Sequence, residues 1–347
     1  MKVILLNRWG WFSVQLLVGA VMLALLIYFA DFGSVATLIL SADAGYVVMA
    51  ALTFIVASGF VGYSLFVLLE RMGYSPSAFK TVMVSIAGQL ISDLTPARTG
   101  YFVTPVLLGG ELGVSLEDGM AAIVFTGAVQ SFAIVIMGCI AIIFFSRYIG
   151  SGIQLIALLA FGFLPIALMG FALVSLIHHT WLSNLIERAR NVSFIKPRIE
   201  QVRRAIAAFQ KSGRRATGAA IQVAFFLLVA QVLNSVALYL LALSIGVTRV
   251  SPFGFVMTYS IAGFSMYAFV TVAGLGVQEG MYALLLGLLG VVLDKATAIA
   301  LLARFFFTVT DFIGIPYLAR LGVKSIPGLL TSGSYTGNQT NTERINR

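Results

Sequence analysis

Six apolar runs, each of about twenty residues or more, punctuate the chain at 11–30, 45–69, 119–145, 153–177, 217–244 and 296–318. A helix rising about 1.5 Å per residue needs roughly twenty apolar residues to cross about 30 Å of hydrocarbon. In lipid each backbone polar group must be paired inside the protein, so such runs are confined to helices or closed barrels, and runs this long point to helices. Composition agrees, with 60% hydrophobic residues, 10% charged residues and a mean hydropathy of +1.00, against about 25% charged residues in an average soluble domain. The expectation is an all-α polytopic membrane protein.

The first run follows Lys2 and Arg8 and superficially resembles a secretory signal. It has the length of a full span and ends at Tyr28, Phe29, Ala30 and Asp31 with no small-x-small cleavage pattern, so we read it as an uncleaved helix. Charge then orients the chain. The net charge of +9 could suit nucleic acid, but the basic residues sit in short stretches beside apolar spans, which is the positive-inside pattern and argues against a nucleic-acid partner. Nine of them (Arg188, Arg190, Lys196, Arg198, Arg203, Arg204, Lys211, Arg214 and Arg215) crowd the segment 178–215 against the two acids Glu187 and Glu200. This segment reads as a cytoplasmic loop able to attract anionic lipid. The resulting topology places 17 of the 22 basic residues inside, both termini inside, and Arg147, Arg249 and Lys295 outside. That describes a multi-pass protein of the cell membrane, with a single transmembrane domain over 1–324 and a polar, disordered cytoplasmic tail at 325–347.

Two apolar segments are broken. From Ala78 to Leu94 the chain is apolar, stops at Thr95 to Gly100 around Pro96, and reaches Glu111, Glu117 and Asp118 after about a dozen more residues. From Val270 to Gly280 a second break holds Gly274, Gly276 and Gly280 around a carboxylate, Glu279. A dozen helical residues rise roughly 18 Å, too little to cross, so each region is expected to be a re-entrant helical hairpin. The two are linked by an internal echo. Leu112, Gly113, Val114, Leu116 and Ala121 recur as Leu289, Gly290, Val291, Leu293 and Ala298, 177 residues later, with Glu117 answered by Asp294. By the charge topology the first hairpin enters from inside and the second from outside. Six full spans and two re-entrant hairpins would then form an inverted-topology repeat with halves of about 45–177 and 217–320, a pattern associated with alternating access around a midplane site.

Five ionisable residues fall within apolar segments: Asp93, Arg98, Glu279, Arg304 and Asp311. Each costs roughly 2.5–3.5 kcal/mol at a helix centre, so they are expected to pair, to face water or to hold a charged ligand. A central polar cavity in which Arg98 and Arg304 meet a phosphate is the functional reading; two internal ion pairs that only fix helix packing are the structural one. Gln89, Gln130, Gln222, Gln231, Asn234 and Gln278 can line the same cavity or serve as interhelical hydrogen-bonding groups. Enzyme signatures are missing. There is no phosphate-binding Gly-x-x-x-x-Gly-Lys-Ser/Thr loop, the spacing from Gly274 to Gly280 is wrong for a dinucleotide turn, and no Ser/His/Asp set can be assembled. The lone Cys139 offers no disulfide. The only histidines, His178 and His179, point to different faces of any helix, so no metal site is expected.

At Leu94 to Gly100, at Ala273 to Glu279, and at Ala303-Arg304, the chain resembles the transmembrane-region family of lysylphosphatidylglycerol synthases, flippase-like integral membrane proteins; the resemblance covers about 8–325. It implies a lipid-translocating fold whose re-entrant helices meet at a headgroup cavity, with Pro96, Arg98, Gly100, Gly276, Glu279 and Arg304 as site residues. Tyr101 stands where the family's first motif commonly has Glu, Gly127 stands opposite Arg304 at the repeat offset, and no aminoacyl-transferase domain follows. The functional expectation is a cofactor-free, non-enzymatic transporter of an anionic or glycosylated lipid. Asp93, Arg98, Gln278, Glu279, Arg304 and Asp311 would bind substrate, while Pro96, Gly100, Gly274 and Gly276 form the breaks. A transporter of a small polar solute, or a non-transporting partner of a lipid-modifying or glycosyl-transferring enzyme, remains open as an alternative, as does a homo-oligomer.

Overall fold

The computed structural model describes residues 2–95, 99–148, 164–178, 199–263, 271–272 and 274–324. These are helical, with no β-strand among the described residues: α1 (Lys2–Phe29), α2 (Phe32–Leu40), α3 (Ala44–Arg71), α4 (Ala78–Asp93), α5 (Thr104–Leu112), α6 (Leu116–Phe145), α7 (Leu164–His178), α8 (Ile199–Ala216), α9 (Ala220–Ser244), α10 (Pro252–Ala262), α11 (Val277–Leu288), α12 (Leu293–Asp311) and α13 (Ile315–Lys324). Short 3-10 turns at Thr217–Ala219 and Phe312–Gly314 join α8 to α9 and α12 to α13.

Four stretches are long and apolar enough to span a membrane: Ala44–Arg71, Leu116–Phe145, Ile206–Ser244 and Leu293–Arg320. A fifth is added if α1 and α2, bent by 88° at the break between them, make one crossing. Six full spans are therefore not found among the described residues. The expected span at 153–177 is represented by the 15 residues of α7, and 153–163 lie outside the described residues, as do the tail 325–347 and the segment 264–270. The segment 31–43 holds Asp31 and Asp43 but no Lys or Arg, which in sequence reads as an external loop; in the structure it is mostly α2. The Asp31 carboxylate caps it by accepting from the Ser34 N–H (3.1 Å) and hydroxyl (2.7 Å), and the apolar residues that follow have no reason to stay irregular. The basic segment 178–215 is likewise not all loop, since its second half is α8.

Caps fix the other helix starts. Asp43 accepts from the N–H groups of Gly45 (2.8 Å) and Tyr46 (3.2 Å) to open α3. Ser115 accepts from Asp118 N–H (3.1 Å) at α6, and Ser251 accepts from Gly254 N–H (3.2 Å) at α10. Each satisfies backbone donors that would otherwise be orphaned.

Helices α3 and α9 form the central pair and run antiparallel. Asp43 N–H, before α3, donates to Ser244 O at the end of α9 (2.9 Å), while Arg71 Nε, at the end of α3, donates to Gln222 Oε1 near the start of α9 (3.2 Å). Phe226 of α9 packs against Phe60 and Tyr63 of α3 between these ends, at centroid distances of 6.0 and 4.9 Å. Two apolar cores surround the pair. One gathers Ala50 and Phe54 of α3, the ends of α6 and α9, and much of α10 to α12. The other gathers Leu65, Leu68 and Leu69 of α3 with α4, α5 and the starts of α6 and α9. Beside the second core, the Tyr74 and Ser212 hydroxyls donate to the Asp118 carboxylate, so one acid joins the α3–α4 connection, α8 and the start of α6.

Helices α4, α5, α10 and α11 are among those too short to cross. At 16, 9, 11 and 12 residues, α4, α5, α10 and α11 measure about 24, 14, 17 and 18 Å. They fall in two pairs, α4 with α5 and α10 with α11, and each pair packs on itself. The echo at 112 and 289 has a structural counterpart. After α5, Gly113 takes φ 68°, Val114 is buried, and α6 begins at Leu116; after α11, Gly290 takes φ 84°, Val291 is buried, and α12 begins at Leu293. The same shift of 177 carries α3 onto α9, its antiparallel neighbour.

The α3–α4 contact is backbone-close at Gly62, where a Cβ would lie 2.6 Å from Val82 Cα, whereas Gly59 on the same helix has open space. Gly62→Ala is expected to destabilise by about 1–3 kcal/mol through overpacking, and Gly59→Ala to be neutral or slightly stabilising. Thermal unfolding of the two purified variants in detergent checks this contrast.

Candidate functional site

The break before α11 is built by left-handed backbone. Gly274 and Gly276 hold φ of 71° and 77°, values that glycine adopts without steric cost. Gly276 has a second reason to be glycine: a Cβ there would lie 2.6 Å from Gly19 O and from Met22 Cβ, so α1 lies directly against the turn. Gly276 caps α11, and Glu279 occupies the first turn, where the helix dipole favours a negative charge. Its carboxylate folds back so that Oε2 accepts the Gly276 N–H (2.7 Å). From α12, Arg304 Nε donates to the other oxygen, Oε1. Glu279 is only 1% exposed and Arg304 17%, so this is an ion pair held away from bulk solvent, with one charge-assisted bond to the backbone as well.

A small pocket of about 10 Å³ adjoins the pair, with Phe54, Asn234, Tyr259, Gln278, Tyr282 and Phe307 among its walls. That is about enough for one water. Gln278 Nε2 donates to Tyr282 OH (3.3 Å), and the Tyr282 ring stacks on Tyr259 at 6.5 Å. Asn234, Tyr259 and Phe307 also line a second, larger cavity of about 230 Å³. Its polar lining comes from Ser58, Gln89, Ser92, Tyr101, Gln130, Gln231, Asn234, Tyr259 and Ser260. Among the described residues that line it, none carries a formal charge. Gln231 Nε2 donates to Ser260 Oγ (3.1 Å), tying α9 to α10 across one wall.

The cavity lies between the two cores. Along α3, Ser58 falls between Phe54 of one core and Leu65 of the other; along α9, Gln231 and Asn234 fall between Leu227 and Ala237; along α6, Gln130 falls between Phe125 and Ala141. A polar belt therefore sits at mid-depth in the bundle, enclosed above and below by apolar packing.

Of the residues singled out by sequence, the structure brings together Gln278, Glu279 and Arg304, and Gly274 and Gly276 hold left-handed backbone just before α11. Gly100 lies in the 3-10 turn Thr99–Val103 before α5, its N–H donating to Thr95 Oγ1 (2.6 Å). Asp93 ends α4, and Asp311 is buried at the end of α12; neither lines these two cavities. Pro96 and Arg98 lie outside the described residues. Of the polar candidates, Gln89, Gln130, Gln231 and Asn234 line the larger cavity, while Gln222 instead accepts from Arg71. Among the aromatic walls, Tyr259, Tyr282 and Phe307 carry no local signal in a chain with 27 Phe and 12 Tyr, and Tyr101 stands out only for the acid it replaces in the family motif.

Removing one partner of a buried pair strands the other charge, at a cost of about 3–5 kcal/mol. Glu279→Gln and Arg304→Gln are each expected to destabilise the protein, and the double variant to lose less than the sum of the two. A double-mutant cycle on thermal unfolding measures that coupling.

No curated protein matches the chain. The helical breaks, the buried ion pair and the long apolar helices nevertheless fall within a stretch that fits one family model over residues 12–313, so this multi-pass membrane protein belongs to the family of the lysylphosphatidylglycerol synthase TM region.

Proposed function

We propose that this chain moves a lipid with an anionic or glycosylated headgroup between membrane leaflets, through the polar belt at the centre of the bundle. The observation that carries the reading is the buried Glu279–Arg304 pair at a broken helix, beside a cavity of about 230 Å³ lined by amides and hydroxyls. Buried charges at membrane depth are costly unless paired, and they mark substrate or ion pathways. The family's name speaks for lipid chemistry, and the described residues of the site offer groups suited to binding a headgroup, which supports transport.

Three features support alternating access. Helices α3 and α9 run antiparallel at the 177-residue offset, the paired short helices α4–α5 and α10–α11 fit re-entrant hairpins, and the matched turns at Gly113 and Gly290 place corresponding long helices after them. An inverted-topology repeat of this kind lets one set of contacts open to either side in turn. With both termini on the cytoplasmic side of the cell membrane, α8 lies at the inner surface. Its Lys211, Arg214 and Arg215 are exposed while Ser212, Gly213 and Ala216 are buried, so its basic face suits anionic headgroups at about 1 kcal/mol per cation.

A reconstituted leaflet-exchange assay tests the proposal, with fluorescent phospholipids and polyprenyl-linked sugars as probes. The unaltered protein is expected to exchange at least one probe well above protein-free vesicles, and Glu279→Gln and Arg304→Gln to slow exchange tenfold or more. Undiminished exchange in both variants would overturn the central site.

A further inference from the structure

The larger cavity is chemically distinct from the ion-pair pocket it adjoins. Its described lining offers four primary amides, Gln89, Gln130, Gln231 and Asn234, with serine and tyrosine hydroxyls, and no formal charge. Each amide presents both donor and acceptor, which matches hydroxyl groups that also do both. A phosphate or carboxylate placed there would lose its hydration with no opposite charge among the described lining to replace it. A hydroxyl-rich neutral group has no such penalty.

Gln89 gives the second observation. It is only 9% exposed, it lines the cavity, and its Nε2 is buried without a hydrogen-bond partner among the described residues. A buried donor left without a partner is destabilising, so a ligand acceptor at this position recovers that loss. Tyr101, Phe102, Tyr259 and Phe307 add flat apolar walls, suited to the C–H faces of a pyranose ring. At about 230 Å³ the space far exceeds the roughly 10–15 Å³ that one water needs.

The repeat offset sharpens the contrast. Counted back by 177 residues, Glu279, Arg304 and Asp311 correspond to Phe102, Gly127 and Ile134, and all three of those line the cavity. One half of the protein has charges where the other has an uncharged wall.

We infer that this cavity binds an uncharged sugar headgroup of the transported lipid, with Gln89 as a specificity-determining donor, and that the lipid's phosphate lies on the Arg304 side. This inference rests on the proposed transport reading and names its substrate class. The test uses the purified full chain and two probes, a polyprenyl phosphate carrying one neutral hexose and phosphatidylglycerol, each measured for binding by thermal stabilisation in detergent and for leaflet exchange in vesicles. The hexosyl lipid is expected to stabilise the unaltered protein at concentrations at least tenfold lower than phosphatidylglycerol. Gln89→Leu and, independently, Gln130→Leu should each remove about tenfold of that preference. Equal binding of the two probes, or an undiminished preference in both variants, would overturn the inference even if exchange occurs. Preferential hexosyl-lipid binding with no exchange would uphold it and overturn the transport reading instead.

Discussion

The structure depends on how one carboxylate is kept charged out of water. Glu279 is nearly fully buried, and an ion moved from water into protein loses several kcal/mol of hydration. Three local features offset that loss: the positive end of α11, the Gly276 N–H, and the Arg304 guanidinium. Each demands something of the chain. The helix must begin at that depth, which requires left-handed glycines before it; α1 must come close enough to seal the turn, which requires no side chain at Gly276; and α12 must present its arginine across from the turn.

The same economy explains the polar belt. Core residues above and below it are held by close packing, but a cavity at mid-depth deprives its lining of packing partners and is tolerable only where the lining is polar enough to hold water or ligand. Amides on α4, α6 and α9 supply that lining; α6 and α9 contribute to both apolar cores, and α4 to the second. Rigid walls thus surround a solvating centre, while the short paired helices give the bundle its breaks.

Much of this architecture was legible in the sequence because lipid imposes simple rules. Runs such as 45–69 and 119–145 could be nothing but spanning helices, and the break around Glu279 announced itself through its glycines and its isolated charge. The pairing of Glu279 with Arg304 was foreseeable only as one of several combinations among five ionisable residues. Helix α2 was missed because the acids Asp31 and Asp43 suggest a loop, whereas Asp31 turns its polarity into a cap. The extension of the span at 217–244 back through α8 was hidden by the basic residues, which mark an interface without ending a helix.

By itself the sequence determined the class of fold, the depth at which polar residues must sit and the places where helices break, since hydrocarbon leaves an unpaired backbone or an unpaired charge no alternative. Tertiary structure alone decided which charge meets which, that Gln89, Gln130, Gln231 and Asn234 share one cavity while Gln222 does not, and that aromatic rings close its walls. Those outcomes depend on contacts between residues tens to hundreds of positions apart, where helix rotation and antiparallel pairing, rather than local composition, choose the neighbours.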